Sequence, residues 1–171
     1  MNRRRLVACA AVLGAFPLPS GSAEAAASTA DFVKTAGIAG MFEIESSKLA
    51  LTKSEAADIK AFADKMIHDH TLAAAELSDL AKGKYPVPDA LDATHKDLMD
   101  QLDKLIGPDF DKLYAKVQTQ AHQEAVGLFG DYSSTGEDTS LKQFATKTLP
   151  TLQEHLDMIK AIDAKMAPSA G

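Results

Sequence analysis

Four long stretches of this chain repeat apolar residues at three-and-four spacing, and no run of β-branched residues alternates as a strand would. That pattern leads to helices packed side by side. The stretches run from about Asp31 to Thr52, Ser54 to Lys82, Pro108 to Tyr132 and Thr139 to Met166, with Ser54 and either Asp138 or Thr139 as expected N-caps. Pro108 suits a first turn, whereas Pro150 inside the last stretch is expected to kink it or divide it in two. The first two stretches are joined tightly, and so are the last two, through a turn expected over Ser133 to Glu137. Between the pairs lies a connection of about 25 residues, broken from Gly83 to Asp89 and carrying a short helix from about Ala90 to Ile106. The expected fold is all-α: a ferritin-like four-helix bundle with one long crossover that carries a short extra helix.

The first residues stand apart from this pattern. Arg3, Arg4 and Arg5 precede an apolar run from Leu6 to Phe16, Pro17 and Pro19 end it, and Ala23-Glu24-Ala25 offers a small-x-small cleavage pattern. The run is about eleven residues long, short of the roughly 20 that a membrane span needs. Residues 1–25 therefore read as a cleaved secretory signal peptide and residues 26–171 as one helical domain, with 167–171 a frayed tail. Periplasmic or secreted localisation follows, with no transmembrane segment in the mature chain. General-secretory and twin-arginine export both stay open, because Arg3-Arg4-Arg5-Leu6-Val7 only weakly resembles the twin-arginine form.

Charge and cysteine usage remove several function classes. The chain has 18 Lys+Arg against 24 Asp+Glu, net −6, and loss of the signal peptide makes it more acidic still. Such a surface repels phosphate backbones, so nucleic acid is not an expected partner. Cys9, the one cysteine, leaves with the signal, and the mature chain has neither a disulfide nor a thiolate for metal or nucleophilic chemistry. Serine nucleophiles and glycine-rich phosphate loops find no support. The pattern points away from an enzyme, with no catalytic residue assigned.

What remains is a set of histidines. His70 sits in the stripe Ile59, Phe62, Ala63, Met66, Ala73, Leu77, Leu80, and His155 in the stripe Leu141, Ala145, Thr148, Leu152, Ile159, Ile162, Met166. His122 falls on the edge of a stripe formed by Phe110, Tyr114, Val117, Ala121, Leu128 and Tyr132. The first helix has a line of small residues, Ala36, Gly40, Ser47 and Ala50, interrupted by Glu43; Glu45 is the rival inward carboxylate. At about 1.5 Å per residue, Glu43, His70, His122 and His155 fall roughly 15, 24, 21 and 13 Å from the end carrying the first turn. One slab about 10 Å thick can contain all four.

A buried imidazole must satisfy two ring nitrogens, so three in one core are costly unless something binds or pairs them. Tyr114, Thr148 and Asp69 are candidate hydrogen-bond partners, which is the structural reading. The metal reading takes His70, His122, His155, Glu43 and Asp69 as a site, a donor set that suits zinc, copper, iron or nickel. The Glu-x-x-His pairs of di-iron bundles are absent: Ile67 and Leu152 stand three residues before His70 and His155. Haem of the c type lacks its Cys-x-x-Cys-His. His68 belongs to a solvated face, His95 to partly buried packing, and Asp109 and Asp111 to a first turn that favours negative charge.

Several blocks carry a resemblance. They are Glu43-Ile44-Glu45-Ser46-Ser47-Lys48-Leu49-Ala50, Phe62 through His70, Phe110-Asp111-Lys112-Leu113-Tyr114 with the following His122, and Leu149 through Leu156. Over about Ala30 to Lys165 the chain resembles domain-of-unknown-function family 4142, exported bacterial proteins with a ferritin-like bundle that are often labelled predicted outer membrane proteins. The resemblance implies the bundle fold, export, and Glu43, Asp69, His70, Asp111, His122 and His155 as positions of interest. Ser47 stands where the family often has Gly. It implies no activity, protein partner or oligomeric state.

Two functional readings compete. One is a periplasmic bundle that binds a transition metal through core histidines, for sequestration or sensing. The other is a non-catalytic envelope or stress-response interaction protein whose histidines are structural or pH-responsive. An oxidoreductase using bound metal or haem is a third, weaker reading.

Overall fold

A computed structural model of the chain describes residues 28–166. The signal peptide expected over 1–25 and the tail expected over 167–171 lie outside the described residues. Five helices are present: α1 (Thr29–Lys53), α2 (Ala57–Ala81), α3 (Ala93–Asp103), α4 (Gly107–Thr135) and α5 (Thr139–Met166). Among the described residues there is no strand, and no helix is long and apolar enough to cross a membrane.

Local chemistry sets most of the boundaries. Ser28 caps α1 by accepting from the Asp31 amide, and Asp92 caps α3 by accepting from the His95 amide. Asp138 Oδ1 accepts from the Ser140 and Leu141 amides at the start of α5, as the sequence led us to expect. Gly83 just past α2 and Gly107 at the start of α4 adopt φ of 76° and 57°, the left-handed region that side chains avoid. Three expectations need correction. Ser54 is the C-cap of α1, and α2 begins after Ala56 without a side-chain cap. The turn expected over 133–137 is shorter, because α4 stays helical through Thr135. Pro150 does not divide α5, which is one helix of 28 residues; the proline removes one N–H, and packing along the rest of the helix outweighs that loss.

Four of the helices form a closed bundle in which α1 packs on α2 and α4, and α5 packs on α2 and α4. Contacts at the ends fix the directions. Tyr132 of α4 donates to Thr29 Oγ1 of α1 at 2.9 Å, and Lys84 meets Asp138 at 3.2 Å, at one end. Lys53 meets Asp103 at 2.9 Å and Lys165 meets Asp58 at 3.5 Å at the other. Each helix is therefore antiparallel to the two it packs against. The segment from Lys82 to Ile106 has to return the full length of the bundle, with α3 resting on α1 and α4. That is the ferritin-like crossover expected from the spacing.

The core is in two parts. One cluster contains Phe42, Phe62, Met66, Phe110, Tyr114 and Ile159; the other contains Phe32, Leu77, Phe129, Tyr132, Phe144 and Leu152. In α2, α4 and α5 the buried histidine falls between the residues that helix gives to each cluster. A polar layer thus crosses the bundle at mid-height. In the second cluster Phe32 stacks on Tyr132 at 3.9 Å between ring centroids and meets Phe129 edge-on at 5.1 Å. Phe32→Ala is expected to lower unfolding stability by about 3–5 kcal/mol, read as a shifted urea midpoint with an unchanged slope.

Candidate metal centre

The polar layer is built by four helices. Glu43 comes from α1, Asp69 and His70 from α2, His122 from α4 and His155 from α5. Glu43 and His70 are 2% and 6% exposed, and His122 and His155 are fully buried. The three imidazoles form a near-equilateral triangle, with ring centroids 5.7 Å (His70–His122), 5.3 Å (His70–His155) and 5.5 Å (His122–His155) apart. One ring nitrogen from each lies within 4.8 Å of one from the others. Phe62 presses edge-on against His122 and His155, each at 6.3 Å.

Each ring is held by one nitrogen. His70 Nδ1 sits 3.0 Å from Glu43 Oε2. His122 Nδ1 donates to the Gln118 carbonyl at 2.9 Å, one turn earlier on the same helix. His155 Nε2 donates to Asp69 Oδ2 at 2.9 Å, and Asp69 is also held by Lys65 at 3.1 Å. A carbonyl can only accept, so His122 carries its proton on Nδ1. Its 3.7 Å approach to Glu43 Oε1 is too long for a hydrogen bond. The other nitrogen of every ring, His70 Nε2, His122 Nε2 and His155 Nδ1, is buried with no partner. Three such orphans in one layer are unusual, because buried polar atoms are nearly always paired.

The site's electrostatics follow from burial and proximity. Burial pushes the Glu43 carboxyl up, but His70 and then His122 pull harder, and the group ends below its ordinary range. Burial likewise pushes His70 down, and the Glu43 charge and hydrogen bond outweigh it, leaving His70 raised. The two act as an ion pair. His122 is lowered by burial, which Glu43 only partly offsets. Burial takes His155 down to about 4 despite the hydrogen bond to Asp69, helped by the neighbouring imidazoles of His70 and His122. Burial raises Asp69, and hydrogen bonds from His155 and Lys65 reverse this to a net lowering. At neutral pH, His122 and His155 are therefore neutral, each with an unshared lone pair on its free nitrogen.

All five expected site residues come together. Glu43, rather than Glu45, is the inward carboxylate, since Glu45 is exposed. Of the three expected partners, only Asp69 bonds a histidine: Tyr114 bonds Ser47 at 2.8 Å, and Thr148 lines an adjoining cavity. His122 is central rather than on an edge. The buried face of α4 passes through Tyr114, Gln118, His122, Ala125 and Phe129, while Val117, Ala121 and Leu128 are only half-buried. Asp111 is also buried, with one oxygen unpartnered, but it is outside the histidine cluster. His68 is exposed as expected, and half-buried His95 bonds Asp92 at 2.7 Å. Sequence reasoning missed Gln118 and Ser46, whose buried side chains bond each other at 2.8 Å. The available signal was Gln118 lying one turn before His122.

A family model described as "Domain of unknown function (DUF4142)" matches residues 16–162. The chain belongs to this family. Comparison with curated proteins gives no match. Among solved structures, "CopM in the Cu(II)-bound form" superposes on this DUF4142 chain with a TM-score of 0.64 at 19% identity, covering 79% of this chain and 95% of that one. At that identity the likeness speaks for the helical-bundle fold.

The signs of these shifts set a pH response. Between about pH 6.5 and 4 the unfolded chain binds protons that folded His155 and His122 refuse, so acid lowers stability. Lowered Asp69 and Glu43 lose their contribution further into acid, and raised His70 loses its contribution on the alkaline side. Urea midpoints of the metal-free chain are expected to fall as pH drops from 6.5 towards 4, and His155→Gln should flatten that fall by on the order of 3 kcal/mol. An unchanged slope in the variant would contradict a buried neutral His155.

Proposed function

We propose that this chain is an exported, non-catalytic bundle that binds one transition-metal ion through His70, His122 and His155, for sequestration or sensing in the periplasm. The observation that carries the reading is a set of three buried histidines, each able to offer a ring nitrogen within 4.8 Å of those of the others and each left with one unpartnered ring nitrogen. Purely structural networks seldom leave three neighbouring ring nitrogens unpaired. Neutral imidazoles suit copper, zinc, nickel or iron, and divalent copper heads the ordinary affinity order; His70, charged in its metal-free pair with Glu43, gives up its Nε2 proton to join them. The similar bundle solved in a Cu(II)-bound form supports placing copper ahead of zinc.

Glu43 and Asp69 act behind the rings in this reading. Each carboxylate grips the opposite nitrogen of its imidazole, orienting the ring and raising its basicity as a ligand. The Gln118 carbonyl does the same for His122. The export signal over 1–25 and the mature bundle over 26–171 are part of the proposal, and they account for a metal site without cysteine.

Elemental analysis of the full chain, purified from the periplasm and then reconstituted separately with copper and zinc, tests the site. One ion per chain is expected in the wild type and none in His70→Ala/His155→Ala. Equal, negligible metal in both, even after reconstitution, would sink the reading and favour the interaction protein with pH-responsive histidines. Asp69→Asn should retain the ion with affinity reduced about 10–100-fold, measured by competition with a chromophoric chelator.

A further inference from the structure

On the outer face of the bundle, α3 covers only part of the groove between α1 and α4. It rests on both helices but begins at Ala93, and the groove stays open from there towards the Thr29 end. The open part encloses about 330 Å³, a volume in the lower range of ligand pockets, about 300–1,000 Å³. Its floor is apolar, formed by Ile38 and Ala39 of α1 and by Ala121 and Leu128 of α4, and the two alanines leave room in it. His95 closes one end, with its ring 5.0 Å from that of Phe42. Three carboxylates stand around the groove, Asp31 of α1, Asp92 at the start of α3 and Glu124 of α4, with Lys34 as the opposing charge.

Spacing along the bundle sorts these charges into two groups. Thr29 and Tyr132 are level at one end, so a rise of about 1.5 Å per residue puts Asp31 roughly 3 Å down the groove and Glu124 roughly 12 Å down. Phe42 lies roughly 20 Å down, and Asp92, one turn before the His95 that meets it, roughly 15 Å down. One carboxylate therefore stands at one end and two stand about 10 Å further along, with apolar floor between them. Each keeps capacity to accept. Ser28 Oγ donates to Asp31 Oδ2 at 2.6 Å, the His95 amide and ring both donate to Asp92 Oδ1 at 2.9 and 2.7 Å, and Gln120 donates to Glu124 Oε1 at 3.0 Å. These bonds use one oxygen of each carboxylate and leave the other. The His95 amide and ring also hold the Asp92 carboxyl below its ordinary range, and the Lys34 charge adds to this.

We propose that this groove is a second binding site, one that takes a linear aliphatic diamine. One ammonium group meets Asp31, the other meets Asp92 and Glu124, and the methylene chain lies on the floor between them. A trough between two helices suits an extended chain better than a ring, and Phe42, only 1% exposed, offers a ring no stacking face. Lys34 stands between the two groups of carboxylates, so methylenes rather than a third positive charge belong beneath it. A monoamine satisfies one end alone, and a dicarboxylate is repelled at both.

Titration of the chelator-treated full chain with octamethylenediamine at low salt, followed by NMR at Ala39 and Ala121, is the test. Saturable binding is expected, about fivefold tighter than that of octylamine, the margin that one further exposed ion pair supplies. Suberate, the dicarboxylate of the same length, should not bind. Asp31→Asn and Asp92→Asn should each bring the diamine down to the affinity of octylamine; asparagine caps helices as well as aspartate does, so α3 keeps its start. Lys34→Ala should tighten the diamine. Absence of saturable diamine binding to the wild type overturns the site. Octylamine or suberate binding as tightly as the diamine overturns recognition at two ends, and undiminished binding in both asparagine variants overturns the location. Weaker binding to Lys34→Ala overturns the path of the chain beneath that charge. Every arm is read on metal-free protein, so failure of the histidine site leaves each outcome readable.

Discussion

Glu43 and His70 face each other across 3.0 Å in the middle of a bundle, almost wholly removed from water. A buried ion pair costs solvation that its own attraction rarely exceeds, and apolar residues of similar volume are often as good or better for stability. Here the expense extends further, to His122, His155, Gln118 and Ser46, and it divides the apolar core into two clusters. Stability alone does not call for such a layer. The layer also dictates what the rest must do: both apolar clusters carry the folding, and every helix must hold its register to within one hydrogen bond. Glu43–His70 links α1 to α2, Asp69–His155 links α2 to α5, and Gln118–Ser46 links α4 to α1.

The crossover makes that arrangement available. By returning along the whole bundle it sets α4 antiparallel to α1 and brings the middle of each helix to one level. Glu43, His70, His122 and His155 then meet although they come from four separate segments. The chain closes over the same region with Val87 and Pro88, where Gly37 lets the crossover lie close to α1: a Cβ there would meet Pro88 Cδ at 3.2 Å.

Much of this is legible in the residues themselves, and the exceptions have physical reasons. Apolar periodicity gives the helices, their pairing and the inward placement of His70 and His155, because those two histidines interrupt otherwise apolar stripes. It misplaces His122 because α4 buries Gln118 on the same face, and a stripe with two polar residues in succession looks like an edge. Ser54 reads as an N-cap from its type, yet its position closes α1, and only the backbone path distinguishes the two. Pro150 reads as a break, but a long helix packed on two neighbours absorbs one missing N–H. Which nitrogen of each ring is anchored, and which is left free, depends on side-chain geometry that no spacing encodes. Small residues let helix backbones approach closely, yet at Gly40 in the line of small residues of α1 the space opens into a cavity.

The decisive issue is whether the three free nitrogens share one ion. X-ray absorption of the copper-loaded chain measures this directly, since outer-shell scattering from imidazole rings counts the histidines bound. Three imidazole nitrogens at about 2.0 Å are expected, with the imidazole count falling in His122→Ala. A shell dominated by oxygen, or an imidazole count unaffected by loss of His122, would mean that copper sits elsewhere and that the buried triangle is not its site.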